Sequence, residues 1–70
     1  MTIAQAIREI LEDNPNLTKY RLAKNLETTQ SQLNNWLIRG TVSPQIKSAK
    51  KFYDFYGIVI FPYTEKELRK

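Results

Sequence analysis

Gln30, Ser31, Gln32, Asn34 and Asn35 place four side-chain amides and one hydroxyl within six consecutive positions. A carboxamide carries hydrogen-bond donors and an acceptor on one plane. Groups of this kind recognise a partner by paired hydrogen bonds; they neither attack carbonyl centres nor shuttle protons near neutral pH. The rest of the chain adds no catalytic set. It has no His and no Cys, which removes the commonest acid–base catalyst, the commonest metal ligand and all thiolate chemistry. Glu9, Glu12 and Asp13 cluster on one helix surface with no His, Cys, glycine-rich loop or metal-ligand spacing beside them. The expectation is recognition rather than catalysis: no enzyme, no metal, no cofactor and no small-molecule substrate.

The elements that hold this run follow from capping signals and apolar spacing. Thr29 with Gln32 three residues on reads as a capping box, and Leu33, Trp36 and Leu37 follow at i, i+3, i+4. Arg39 and Gly40 close the helix, which is expected over 30–39. Before it, Thr18 caps a short helix over 19–26, with Leu22, Ala23 and Leu26 on its apolar side and Leu17 placed as a staple. Asn and Ser are mediocre helix formers, and an ordinary solvent face would carry Glu and Lys. A requirement other than helix stability therefore selected the amide run. Trp36 occupies an apolar position, so packing in the core is its expected role.

Outside this pair, residues 3–13 repeat apolar groups at helical spacing behind a Thr2–Gln5 capping box, and Asn14-Pro15 ends them. Ser43-Pro44 signals the start of a fourth helix. On a helical wheel Ile46, Ala49, Tyr53 and Tyr56 fall within ~80° of one another, with Phe52 at the margin and Phe55 roughly opposite. Gly57 ends that helix. Ile58-Val59-Ile60-Phe61 is a β-branched apolar run before Pro62 and reads as a short strand, one that needs a partner to be stable. The tail YTEKELRK holds a further Thr64–Glu67 box but little apolar content, which suggests frayed helix or disorder.

Charge is uneven. The formal net charge is +4. From Leu17 to Lys51 the basic residues are Lys19, Arg21, Lys24, Arg39, Lys47, Lys50 and Lys51, against the single acid Glu27. A small domain with one basic section has the footprint of a nucleic-acid binder, although a solvated surface accounts for the charge alone.

The stretch Lys19 to Ile38 resembles the helix-turn-helix of the phage lambda Cro and repressor-like family. Ala23 stands at the small position of the first helix, and Leu22, Leu26, Leu33 and Trp36 at the apolar positions that fix the crossing angle. Thr29-Gln30-Ser31-Gln32-Leu33-Asn34 is similar to the start of a Cro recognition helix. Glu27 departs from the family pattern, standing where glycine is usual, and Thr28 replaces an apolar residue. A retained turn would hold Glu27 at positive φ, a cost of about 1 kcal/mol.

The resemblance implies a mainly α, four-helix Cro/repressor-like domain over 1–57, followed by a short β-strand and tail over 58–70 that can serve dimerisation. It implies a sequence-specific regulator of transcription, a phage or prophage Cro-like repressor, reading the major groove of double-stranded DNA with helix 30–39. Gln30, Ser31 and Asn34 lead as base readers, followed by Thr29, Gln32 and Asn35; Thr29 and Gln32 have the competing role of caps. Phosphate contacts fall to Lys19, Arg21, Tyr20, Arg39 and Lys47, with partial burial the alternative for Tyr20 and a solvated face for Lys47. The aromatic surplus around Phe55 and the run Ile58, Val59, Ile60 and Phe61 suggest a homodimer interface; folding back of the run within one chain is the alternative. A protein-interaction module, such as an antitoxin or adaptor, is the competing function. The first ten residues lack a signal-peptide pattern and no apolar run reaches the ~20 residues of a membrane helix, so a cytoplasmic protein is expected in a bacterial host cell.

Overall fold

The computed structural model describes residues 1–40 and 42–69. Its helices are α1 (Ile3–Asp13), α2 (Lys19–Asn25), α3 (Gln30–Arg39), α4 (Ile46–Tyr56) and α5 (Glu65–Leu68). The protein is mainly helical, and no strand forms among the described residues. No described helix is long and apolar enough to cross a membrane.

Threonine begins four of the helices. Thr2, Thr18, Thr29 and Thr64 each accept a hydrogen bond from the third helical N–H, at Gln5, Arg21, Gln32 and Glu67. This satisfies one of the free amides that every helix start leaves. Gln5 and Glu67 also return a side-chain oxygen to the cap backbone, so these boxes close.

One core joins the helices. Ile3, Ala6, Ile7 and Ile10 from α1 meet Leu22 and Leu26, Leu33 and Trp36, Phe52 and Ile60. The Trp36 and Phe52 rings lie 6.4 Å apart at 46°, within the range of favourable tilted aromatic pairs. α1 and α3 are also joined end to end: the Ala4 N–H donates to the Gly40 carbonyl at 3.5 Å. Gly40 itself ends α3 at φ 73, a region where a side chain is strained.

Four expectations from the sequence change. The fourth helix begins at Ile46 rather than at Ser43-Pro44, and its N-cap, Gln45, makes no side-chain hydrogen bond. Pro44 is instead buried in the connection, and its carbonyl accepts from the Tyr63 hydroxyl at 2.7 Å. The core face of α4 is also turned by roughly 70° from the one expected. Ser48, Ala49 and Phe52 are buried, while Ile46 is 42% exposed. Phe52 takes the centre because it meets Trp36. Ser48 tolerates burial because its hydroxyl donates to the Leu26 carbonyl at 2.9 Å. Phe55 faces outward as expected, 56% exposed.

The expected strand at 58–61 is the third change. Its only ladder-like pairing is with residue 1: the Phe61 N–H donates to the Met1 carbonyl at 2.8 Å, and the Met1 amino group to the Val59 carbonyl at 3.4 Å. Two bonds to a single residue do not make a strand, and Pro62 removes the next donor. The run folds back within the chain, over the start of α1 rather than over Phe55. Ile60 is fully buried in the common core and Ile58 packs against it. The tail beyond is the fourth change: rather than fraying, it forms α5, held by Leu68, which is 1% exposed, and by the Tyr53 hydroxyl, which donates to Glu65 Oε1 at 2.9 Å. That hydrogen bond to a carboxylate, with some desolvation, raises the Tyr53 pKa above its usual 10.0. Lys70 lies outside the described residues.

Candidate nucleic-acid interface

The amide run sits on α3, and the turn before α3 sets where that helix points. α2 ends in a Schellman motif: the Thr28 N–H donates to the Ala23 carbonyl at 2.9 Å and the Glu27 N–H to the Lys24 carbonyl at 3.1 Å. Such a motif needs a left-handed residue at its centre. Glu27 fills that place with φ 55, alone among the described non-glycine residues in having positive φ. The strain is of order 1 kcal/mol. The expectation that a retained turn would force Glu27 to positive φ therefore holds.

α4 braces this turn from behind. Ser48 donates to the last carbonyl region of α2 at Leu26, and Asn25 Nδ2 donates to the Tyr56 hydroxyl at 3.1 Å. Lys51 Nζ lies 3.6 Å from Glu27 Oε2. That ion pair is half exposed and contributes little by itself. The buried hydroxyl–carbonyl bond matters more, because losing it strands a carbonyl away from water.

With the turn fixed, helical geometry distributes the side chains of α3. Leu33 and Trp36 are buried and define the inner side. Stepping ~100° per residue places Ser31 and Ile38 almost directly opposite them, Gln30 and Asn34 on one shoulder, and Asn35, Arg39 and Gln32 on the other. Gln30, Ser31, Gln32, Asn34, Ile38 and Arg39 are exposed, and Asn35 is half-buried. The side chains of Gln30, Ser31, Asn34 and Asn35 form no hydrogen bond with another described residue, so their donors and acceptors face outward unused.

The caps divide differently from the sequence pattern. Thr29 is a cap, accepting from the Gln32 N–H at 3.1 Å. Gln32 does not close the box as Gln5 does in α1. Its side chain lines a shallow depression with Thr28, Ser43, Pro44 and Gln45, and its amide stays available to a partner. The start of α4 borders the same depression, and the first-turn N–H groups there lack a side-chain acceptor.

Lys19, Tyr20, Arg21, Arg39 and Lys47 are all exposed. Tyr20 is 58% exposed, with Lys24 Nζ 5.1 Å from its ring centre. Arg21 lines an open groove with Asp13, Asn14 and Asn25, on the side of the α1–α2 loop. Lys51 is partly engaged, close to Glu27 and 5.7 Å from the Phe55 ring centre. The acids of α1, Glu9, Glu12 and Asp13, are exposed on a separate helix. Among the described residues no group of His, Cys, Asp or Glu is arranged to hold a metal ion.

Of the residues expected at a dimer interface, Phe55 and Phe61 are exposed, 56% and 66%. Ile58 and Val59 are half-buried and Ile60 is wholly buried within its own chain. Ile60 is therefore removed from that group, because its side chain already fills the core. Ile38, 84% exposed on the outward line of α3, lies outside the apolar stripe although it directly follows Trp36-Leu37. The wheel position opposite Leu33 and Trp36 was the signal that sets it apart.

Comparison with known proteins finds no match: no family model fits the chain, and no curated protein or solved structure is significantly similar to it.

Proposed function

We propose that this protein is a sequence-specific double-stranded DNA-binding regulator of transcription, a Cro-like repressor that inserts α3 into the major groove. The observation that carries the reading is the outward face of α3. Its exposed amides and hydroxyl have no partner among the described residues, and the helix bearing them is held by a strained, braced turn. The major groove admits one α-helix and offers adjacent donors and acceptors on each base pair. A carboxamide can pair with both groups of an adenine edge at once. Gln30, Ser31 and Asn34 are the leading readers. Gln32 joins them, since it does not close its capping box, and Thr29 and Asn35 lie at the margins of the face.

Phosphate contacts follow from charge and from free amides. Lys19, Tyr20, Arg39 and Lys47 are exposed and unpaired with any described acid. Arg21 is assigned less weight, because it borders a groove that also contains Asp13. The uncapped start of α4 adds backbone donors suited to an anion. These contacts position the protein and carry no sequence information. A lone reading helix contacts few bases, so the protein is proposed to act as a homodimer on two half-sites. Phe55 and Phe61 are the exposed aromatic groups available to that contact.

The test is selection from a pool of random duplexes by gel shift, at two salt concentrations. Enrichment of one motif, with affinity falling steeply as salt rises, is the expected result. No enrichment and no salt dependence would refute the DNA reading and favour a protein-interaction module.

A further inference from the structure

Ile38 is 84% exposed, more than any other large hydrophobic residue described as exposed. It lies on the same line of α3 as Ser31, since seven residues fall only about 20° short of two full turns. Asn34, one turn back, is its nearest neighbour on the outer face. Packing in the core is excluded by the position of Leu33 and Trp36 on the opposite side. Helix stability does not favour isoleucine there either, as a β-branched side chain loses rotamer freedom in a helix. A protein interface on this face is poorly supported. The residues one and two turns back are Ser31, Asn34 and Asn35, so Ile38 stands as a single apolar group on a polar surface rather than in a contiguous patch.

We propose that Ile38 is a specificity-determining residue that packs against the C5 methyl of a thymine. The inference rests on the DNA-binding reading above and adds to it a base preference that the amides do not supply. In the major groove the thymine methyl is the one apolar feature of the base edges. An aliphatic side chain on the reading face gains from covering it and gains nothing from the polar edges. Position along the helix places this contact. Ile38 lies ~6 Å beyond Asn34 and ~10 Å beyond Ser31 along the axis. A helix in the groove is inclined to the duplex axis, so residues three to four apart meet successive base pairs and these displacements are about one and two base-pair steps. The thymine is therefore expected about one base pair from the pair read by Asn34, toward the side where α3 ends at Gly40.

The experiment is duplex selection with the wild type, Ile38→Ala and Ile38→Val, followed by affinity measurement on the selected duplex with thymine or uracil at each position. Uracil differs only in lacking the methyl. At one position per half-site, uracil should weaken wild-type binding about three- to fivefold, the scale of one buried methyl group. Ile38→Ala should show the same loss on the thymine duplex and no response to uracil, while Ile38→Val keeps most of the discrimination. Circular dichroism checks that the variants are folded, which the exposure of the side chain favours. If Ile38→Ala discriminates thymine from uracil as the wild type does, the inference is overturned. It is equally overturned if Ile38→Ala lowers the sedimentation mass, which would make Ile38 a contact between copies. A wild type that enriches no sequence overturns the DNA reading itself, and this inference with it.

Discussion

α1 and α3 are built alike and finished differently. Each is a three-turn helix started by a threonine, and each buries one apolar stripe in the same core. The outer face of α1 carries Arg8, Glu9, Glu12 and Asp13, all exposed. That of α3 carries Gln30, Ser31, Asn34 and Ile38. Charge is the usual solution where a helix meets only water, and α1 uses it. The face of α3 is worse at meeting water and better at meeting a structured partner. The capping boxes differ in the same sense. Gln5 turns back to close its box, whereas Gln32 keeps its amide away from its cap.

The largest effect tests what the helices share. Leu33→Ala and Ile7→Ala each remove a fully buried side chain and should each cost ~2–5 kcal/mol in urea unfolding. In a domain of this size either change brings the protein near its unfolding threshold. A much smaller loss for Leu33→Ala would mean that α3 is only loosely attached, and the likeness would fail.

The next effect tests the difference. Gln30→Ala or Asn34→Ala should weaken binding to the selected duplex by ~1–3 kcal/mol and leave non-specific binding nearly unchanged. Glu9→Ala and Glu12→Ala on α1 should leave both intact. Equal losses on cognate and random duplexes would count against direct base reading by α3.

Smaller again is the capping term. Thr29→Ala and Thr2→Ala should each lower stability by ~1 kcal/mol. Thr2→Ala should lose the more, since its hydroxyl takes part in a closed box. Thermal melts of the two variants decide this, and a reversed order would mean that Gln32 caps in solution. The smallest expected change has the opposite sign. Ser31→Ala should raise stability by up to ~0.5 kcal/mol through helix propensity, while reducing specific binding. A variant that becomes both more stable and a better binder would remove the argument that α3 gave up stability for recognition.

The parts of the fold governed by local chemistry were legible in the sequence. The bounds of α1 and α3 and all four threonine caps follow from residues within one turn of each other, whereas the positive φ at Glu27 was implied by the helix-turn-helix resemblance. What depended on distant partners was not. The burial of Ser48 has no local signal, because the Leu26 carbonyl that satisfies it lies far off in the chain. Ser43-Pro44 carried a start signal, but Tyr63 holds the Pro44 carbonyl outside the helix. The 58–61 run had strand propensity, yet the groups available to it were those of residue 1, and the core claimed Ile60. For the candidate site, the amide run was readable directly. Ile38 was legible only from its wheel position opposite Leu33 and Trp36, since its type alone reads as part of the neighbouring apolar pair.

The brace from α4 onto the α2–α3 turn bears on how costly binding is. Ser48, Lys51 and Tyr56 tie α4 to Leu26, Glu27 and Asn25 at the end of α2, and Phe52 meets Trp36 of α3, so α3 cannot swing without undocking α4 from Trp36. Its amide protons from Leu33 onward should therefore exchange with solvent only through opening of the whole core, as is usual for the most stable units of small proteins. A recognition element already immobilised in the free protein has little conformational freedom left to lose on meeting its target. The entropy of ordering α3 has been spent during folding, and contacts made by even a few short side chains can then appear almost undiminished in the affinity.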